Sequence, residues 1–232
     1  MSHNISSQLA ALALLLFVGG SANAEVRGPE QWQAEITSLV AGDASQAPPQ
    51  HAVLFVGSSS IRLWTTLAED FPGVPAINRG FGGSAIADST YYADRIVVPY
   101  HPKLIVMYAG DNDVAEGHTT RQVIDDFSAF VARVRRDLPD AAIAYLSIKP
   151  SVARAALWPQ MRAANDGIAL WTRTQKDVTF VDVTARMLDA QGKPRPELLR
   201  EDGLHMRPAG YRIWIDALGP VLAQHGFAAR LP

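Results

Sequence analysis

The chain has 232 residues, with 21 Lys and Arg against 23 Asp and Glu, for a formal net charge of −2. That length fits one domain with a core large enough to fold unaided, and balanced charge without a basic run gives no support for a nucleic-acid surface. There is no cysteine, which excludes disulfides, thiolate nucleophiles and cysteine-ligated metal.

At the N-terminus, Leu9 to Val18 is an apolar run followed by Gly19-Gly20-Ser21 and Ala22-Asn23-Ala24. A short apolar stretch ending in an A-x-A site is the pattern of a cleaved signal peptide, and the run is too short for a stable membrane anchor. It departs from the usual pattern in having no Lys or Arg ahead of the apolar run; a buried N-terminal helix is the alternative. The expectation is residues 1–24 as signal peptide with cleavage after Ala24, residues 25–232 as the mature domain, and export to a bacterial periplasm or the medium. No integral membrane segment is expected after cleavage. A cysteine-free exported domain must owe its stability to packing alone.

Trp32, Ile36, Leu39 and Val40 recur at helical spacing, so Glu30 to Leu39 reads as an amphipathic helix. After a polar, proline-containing loop, His51 to Val56 is a compact apolar run suited to a strand buried on both faces. Similar runs follow at Val74 to Ile77, Leu104 to Tyr108, Ala142 to Ile148 and Val178 to Val183. Helical patterns lie between them at Ile61 to Glu69, Ala85 to Arg95, Arg121 to Leu138 and Gln160 to Thr174. Pro208 to Gln224 closes the chain with Pro208 in the first turn, where its missing N–H is not needed. Alternating strands and helices predict an α/β fold, a three-layer α/β/α sandwich around a five-stranded parallel sheet of flavodoxin-like order. In such sheets ligands bind beyond the carboxyl ends of the strands.

Four chemistry-bearing segments fall at those ends: Gly57-Ser58-Ser59-Ser60, Asn78-Arg79-Gly80-Phe81-Gly82-Gly83, Gly110-Asp111-Asn112-Asp113 and Asp202-Gly203-Leu204-His205. A serine hydroxyl becomes a useful nucleophile only when a base takes its proton. Ser59 stands where a strand gives way to a helix, although serines there also cap helices. Three residues of loop let the Asp202 carboxylate reach Nδ1 of His205, leaving Nε2 for the serine proton. His51 and His101 precede strands at the opposite rim, and His118 and His225 have no carboxylate at comparable spacing. The charge developing on a carbonyl oxygen needs preorganised donors; the Ser59 N–H, a glycine N–H of the second segment and the Asn112 amide are candidates, Asn112 being otherwise a turn residue. Asp111 and Asp113 make a poor calcium pattern, so no metal and no cofactor are expected.

Together the four segments resemble the blocks of the SGNH (GDSL) hydrolase family, from the first strand to the last helix. The run Asn78-x-Gly-x-Gly-Gly is especially similar to the acetylhydrolase-like branch that includes the platelet-activating-factor acetylhydrolase catalytic subunits. The resemblance implies Ser59 as nucleophile, Asp202 and His205 as its partners, and Ser59, Gly83 and Asn112 as the oxyanion hole, with Gly83 chosen over Gly82. One departure stands out: the signature aspartate before the nucleophile is Ser58 here. Its hydroxyl could still hydrogen-bond the neighbouring loop, with shorter reach and no charge.

The expected activity is therefore a serine ester hydrolase acting through an acyl-enzyme. No long insertion is available as a lid, which favours acetyl or short-chain esters of small molecules or carbohydrates over triglycerides. Lysophospholipid or thioester hydrolysis is one alternative, and a non-catalytic anion-binding protein using the glycine-rich strand ends is another. Phe81, Trp64 and Trp158 could line an acyl pocket or sit in the core.

Overall fold

A computed structural model describes residues 28–227, so the expected signal segment and cleavage site lie outside the described residues. The five strands are β1 (Val53–Gly57), β2 (Ala76–Gly80), β3 (Leu104–Tyr108), β4 (Ala142–Leu146) and β5 (Val178–Val181). They pair in parallel in the order β2-β1-β3-β4-β5, the flavodoxin-like order that was expected. Ten α-helices accompany them: α1 (Gln33–Ala41), α2 (Ser59–Arg62), α3 (Leu67–Asp70), α4 (Ile86–Tyr91), α5 (Ala93–Ile96), α6 (Asp111–Ala115), α7 (Thr120–Asp137), α8 (Trp158–Thr172), α9 (Thr184–Met187) and α10 (Pro208–Gln224).

Strand side chains alternate between two faces, and two separate cores result. Leu54, Val56, Ile105, Met107, Ile143 and Tyr145 pack with Ile36 of α1, Ile86 of α4, Phe127 of α7 and Ile168 of α8. Their neighbours Val53, Phe55, Val106, Tyr108 and Ala144 pack on the other face with Ile61 of α2, Trp64, and Trp214 and Leu218 of α10. Both faces being covered explains why β1, β3 and β4 are apolar throughout rather than alternating. Trp64 and Phe81 are core residues, each at most 1% exposed, and Trp158 packs partly buried against the first core.

Several boundaries differ from the hydropathy reading: β4 stops at Leu146 and β5 at Val181, two residues short of the expected ends, and α1 starts at Gln33 after a 3-10 turn over Pro29–Trp32. β2 runs from Ala76 to Gly80, later than Val74 to Ile77, because its polar residues find partners. Asn78 donates to the Ile61 carbonyl at 2.7 Å, and Arg79 pairs with Asp43 at 2.6 Å while lying 4.5 Å from the Tyr100 ring centre. The expected helix over 61–69 is broken into α2 and α3. Between them Thr65 and Thr66 are weak helix formers, and Asp70 instead accepts from the Trp64 indole at 2.7 Å and the Thr66 hydroxyl at 2.6 Å. The helix expected over 85–95 divides at Tyr92, whose hydroxyl reaches the Pro29 carbonyl at 2.9 Å.

The chain leaves β1 toward the edge strand β2 and returns to β3 on the other side of β1. The crevice beyond β1 and β3 is thus the switch point of the sheet, the place such folds offer to a ligand.

Candidate active site

Gly57 ends β1 with φ 130°, and a Cβ there would lie 1.9 Å from the Tyr108 carbonyl oxygen. Only glycine lets the chain turn this close to β3, and the Ser58 N–H then donates to that same carbonyl at 2.9 Å. Ser58 is extended and precedes α2, so Ser59 is the first helical residue, its N–H among those the first turn leaves free. The Ser58 hydroxyl does not take up the role expected of it: its oxygen is buried without a hydrogen-bond partner. Backbone-directed bonds hold the turn instead. Phe81 N–H donates to Gly57, the Tyr211 hydroxyl donates to the Ser60 carbonyl at 2.8 Å, and Asn78 clamps Ile61.

Ser59 Oγ lies 3.0 Å from Nε2 of His205, across 146 residues of sequence. The other ring nitrogen, Nδ1, is 2.7 Å from Asp202 Oδ2. Asp202 Oδ1 accepts the backbone N–H groups of Leu204 and His205, both at 2.9 Å. Desolvation pushes the Asp202 carboxyl up, but the bonds from His205 and from these backbone donors outweigh it and hold the pKa at about 2. The group is ionised at any working pH and can only accept. Nδ1 therefore carries the proton, and the Nε2 lone pair faces Ser59.

Gly110, at φ 116°, turns β3 directly into α6, so Asn112 is a helix residue rather than the turn asparagine its composition suggested. Its Nδ2 donates to the Ser84 carbonyl at 3.0 Å, and its Oδ1 accepts from Arg154 Nη2 at 2.7 Å. Of the two glycines, Gly82 has its N–H committed to Glu35 Oε1 at 2.9 Å, and a Cβ on it would enter the Trp32 ring. Gly83 faces Asn112: a Cβ there would sit 3.8 Å from Asn112 Nδ2. The fourth segment thus meets Ser59 through His205, and the second and third meet each other at Gly83 and Asn112.

Sequence reasoning missed two basic residues on the loop after β4. Lys149 is buried 3.3 Å from Asp111 Oδ2, and Arg154 touches both Asp111 and Asn112. The signal was present, since Lys149 interrupts an apolar run at the carboxyl end of a strand, the rim where sites form. His118, with no carboxylate at the spacing of Asp202 and His205, instead has Asp126 Oδ2 3.4 Å from its Nδ1. Asp113, His118 and Asp126 have ligand atoms within 4.8 Å of one another, the group among the described residues close enough to share a cation.

Asp113 has a structural task, accepting the Ile86 N–H at 3.0 Å and so pinning the start of α4. Burial raises its pKa to about 7, more than the Ile86 bond and nearby His118 lower it. The fold therefore binds this proton more tightly than the unfolded chain, and that stabilisation is full below about pH 4 and lost as pH rises through about 7. Asp113→Asn keeps the acceptor for Ile86 and removes the buried charge. Thermal melts should show it several degrees more stable than the wild type at pH 8, with the gap closing toward pH 5. An equal gap at both values would mean that Asp113 is not titrating in the fold.

A family model described as the GDSL-like lipase/acylhydrolase family matches residues 38–213. No curated protein matches the chain significantly. Among solved structures, it is similar to a Streptococcus pneumonia protein provisionally called a platelet activating factor, at 22% identity and a TM-score of 0.74 over 83% of this chain and 93% of that one. A GDSL-like lipase from Bacteroides thetaiotaomicron gives 20% and 0.68 over 85% and 98%. A variant of an acetyl-xylooligosaccharide esterase from Geobacillus Stearmophilus gives 17% and 0.57 over 78% and 96%. These likenesses share the fold, and the family match carries the class of chemistry, ester hydrolysis. With the match spanning the first strand to the last helix, the chain belongs to the GDSL-like lipase/acylhydrolase family.

Proposed function

We propose that the protein is an exported serine esterase, with residues 1–24 as its signal peptide, that removes acetyl or other short-chain acyl groups from small-molecule or carbohydrate esters. The observation that carries the chemistry is the continuous relay from Asp202 through His205 to the Ser59 hydroxyl, at 2.7 and 3.0 Å. The substrate class is supported by the acetyl esterase and the acetyl-xylooligosaccharide esterase among the structural neighbours. No helix among the described residues is long and apolar enough to cross a membrane.

In this reading Ser59 Oγ attacks the ester carbonyl while its proton passes to Nε2 of His205. The oxyanion is met by the N–H groups of Ser59 and Gly83 and by Nδ2 of Asn112. Collapse of the tetrahedral species breaks the C–O bond to the alcohol, which leaves with the proton from Nε2. Water then repeats the sequence on the acyl-Ser59 ester and releases the acid. Asp202 stays ionised throughout and stabilises the imidazolium in both halves.

Titration with a fluorophosphonate should label one serine per chain, and peptide mapping should place the label on Ser59. An ester series of increasing acyl length, run beside acetylated xylooligosaccharides, should give the highest kcat/KM for acetyl to butyryl groups. Labelling elsewhere would overturn the nucleophile, and a preference for long acyl chains would overturn the substrate class.

A further inference from the structure

Asn112 can serve as an oxyanion donor only if its amide nitrogen, not its oxygen, faces the reacting carbonyl. An amide on a helix can be seated either way round, so something must set its orientation. The Ser84 carbonyl accepts from one side. On the other side stands the guanidinium of Arg154, 2.7 Å from Oδ1, and a guanidinium can only donate. Acceptor on one flank and obligate donor on the other leave one orientation satisfied, with the second N–H of Nδ2 free for substrate.

Arg154 is itself held in place. Its Nη1 lies 3.3 Å from Asp111 Oδ2, a charge contact rather than a directed hydrogen bond, and the same oxygen is 3.3 Å from the buried ammonium of Lys149. The loop that carries both basic residues is clamped at two points. Asn165 of α8 accepts the Ile148 N–H at 2.8 Å and donates to the Ile148 carbonyl at 2.9 Å, and Ala153 N–H donates to the Gly203 carbonyl at 3.0 Å. The latter ties the loop to the segment bearing Asp202 and His205. Asp111 thus meets two cations; its side chain and that of Lys149 are buried, and Arg154 is partly so.

We propose that Arg154 is the positioning residue of the oxyanion site, fixing the donor orientation of Asn112, and that Asp111 and Lys149 hold it there. This rests on Ser59 as nucleophile and Asn112 as donor. It assigns Arg154 no contact with the substrate.

The test is a double-mutant cycle on p-nitrophenyl acetate hydrolysis, using Arg154→Met, Asn112→Ala and the pair, with Arg154→Lys as the conservative variant and Ser59→Ala as control. Removing an oxyanion donor typically lowers kcat about a hundred- to a thousandfold. Arg154→Met should lower kcat at least about tenfold, within that ceiling, with KM little changed. Arg154→Lys keeps a charge but not the planar fork and should fall between Met and wild type. In the Asn112→Ala background, Arg154→Met should change kcat by less than about threefold, because the group it acts through is gone. Thermal melts check folding, and if Arg154→Met does not fold, the cycle is run with Arg154→Lys. A full additional loss in the double mutant, a rise confined to KM, or a wild-type kcat in Arg154→Met would overturn the proposal. An active Ser59→Ala enzyme would instead overturn the nucleophile assignment, so the two failures are told apart.

Discussion

Ser59→Ala is expected to lower kcat by roughly four to six orders of magnitude. The loss is this large because, in the proposed mechanism, Ser59 Oγ both forms the acyl bond and gives its proton to Nε2 of His205, 3.0 Å away. No neighbouring hydroxyl replaces it. Ser58 Oγ is buried and unpartnered, and Ser60 takes part through its carbonyl, which receives the Tyr211 hydroxyl. Ser58→Ala and Ser60→Ala should therefore retain most activity, and removal of the buried unpartnered Ser58 hydroxyl should leave stability unchanged or slightly higher. Stability of Ser59→Ala should change little as well, since one hydrogen bond is worth about 1 kcal/mol net. Steady-state kinetics on a short-chain ester with melts on the same samples check all three. A dead Ser58→Ala beside an active Ser59→Ala would shift the register of the whole first segment.

The sequence made the sheet legible because both its faces are covered. Strands β1, β3 and β4 stand out as unbroken apolar runs, and α7 and α10 as long periodic ones. Ser59, Asp202, His205 and Asn112 stand out as candidates for a related reason, since strand ends at one rim face the same crevice, and Gly83 stands out over Gly82 only through the family resemblance. What stayed hidden depends on pairing across the fold. Asn78 and Arg79 look like loop residues until Ile61 and Asp43 are seen to satisfy them. Lys149 and Arg154 look like surface charges until Asp111 and Asn112 are brought opposite them. Hydropathy reports how a residue fares alone, whereas burial of a charge is decided by a partner distant in the chain.

The second large effect concerns the base and separates two replacements of one carboxylate. In Asp202→Asn, the single amide oxygen is claimed by the Leu204 and His205 backbone N–H groups, which meet Oδ1 at 2.9 Å in the native chain. The amide NH2 must then face Nδ1, which turns the imidazole so that Nδ1 accepts and Nε2 carries the proton. A protonated Nε2 cannot take the Ser59 proton, and the expected loss is about four orders of magnitude in kcat, the size associated with the wrong tautomer in Ser-His-Asp sites. Asp202→Ala removes the orienting charge without imposing that tautomer, so it should be the more active of the two variants. The wild-type acid limb of kcat/KM should owe nothing to Asp202, which stays ionised with a pKa of about 2. His205→Ala should lose that limb together with most turnover. Profiles of kcat/KM from pH 4 to 9 for the four proteins decide the matter. An acid limb that survives in His205→Ala would identify another group as the base. An Asp202→Asn enzyme more active than Asp202→Ala would show that the carboxylate does not set the tautomer.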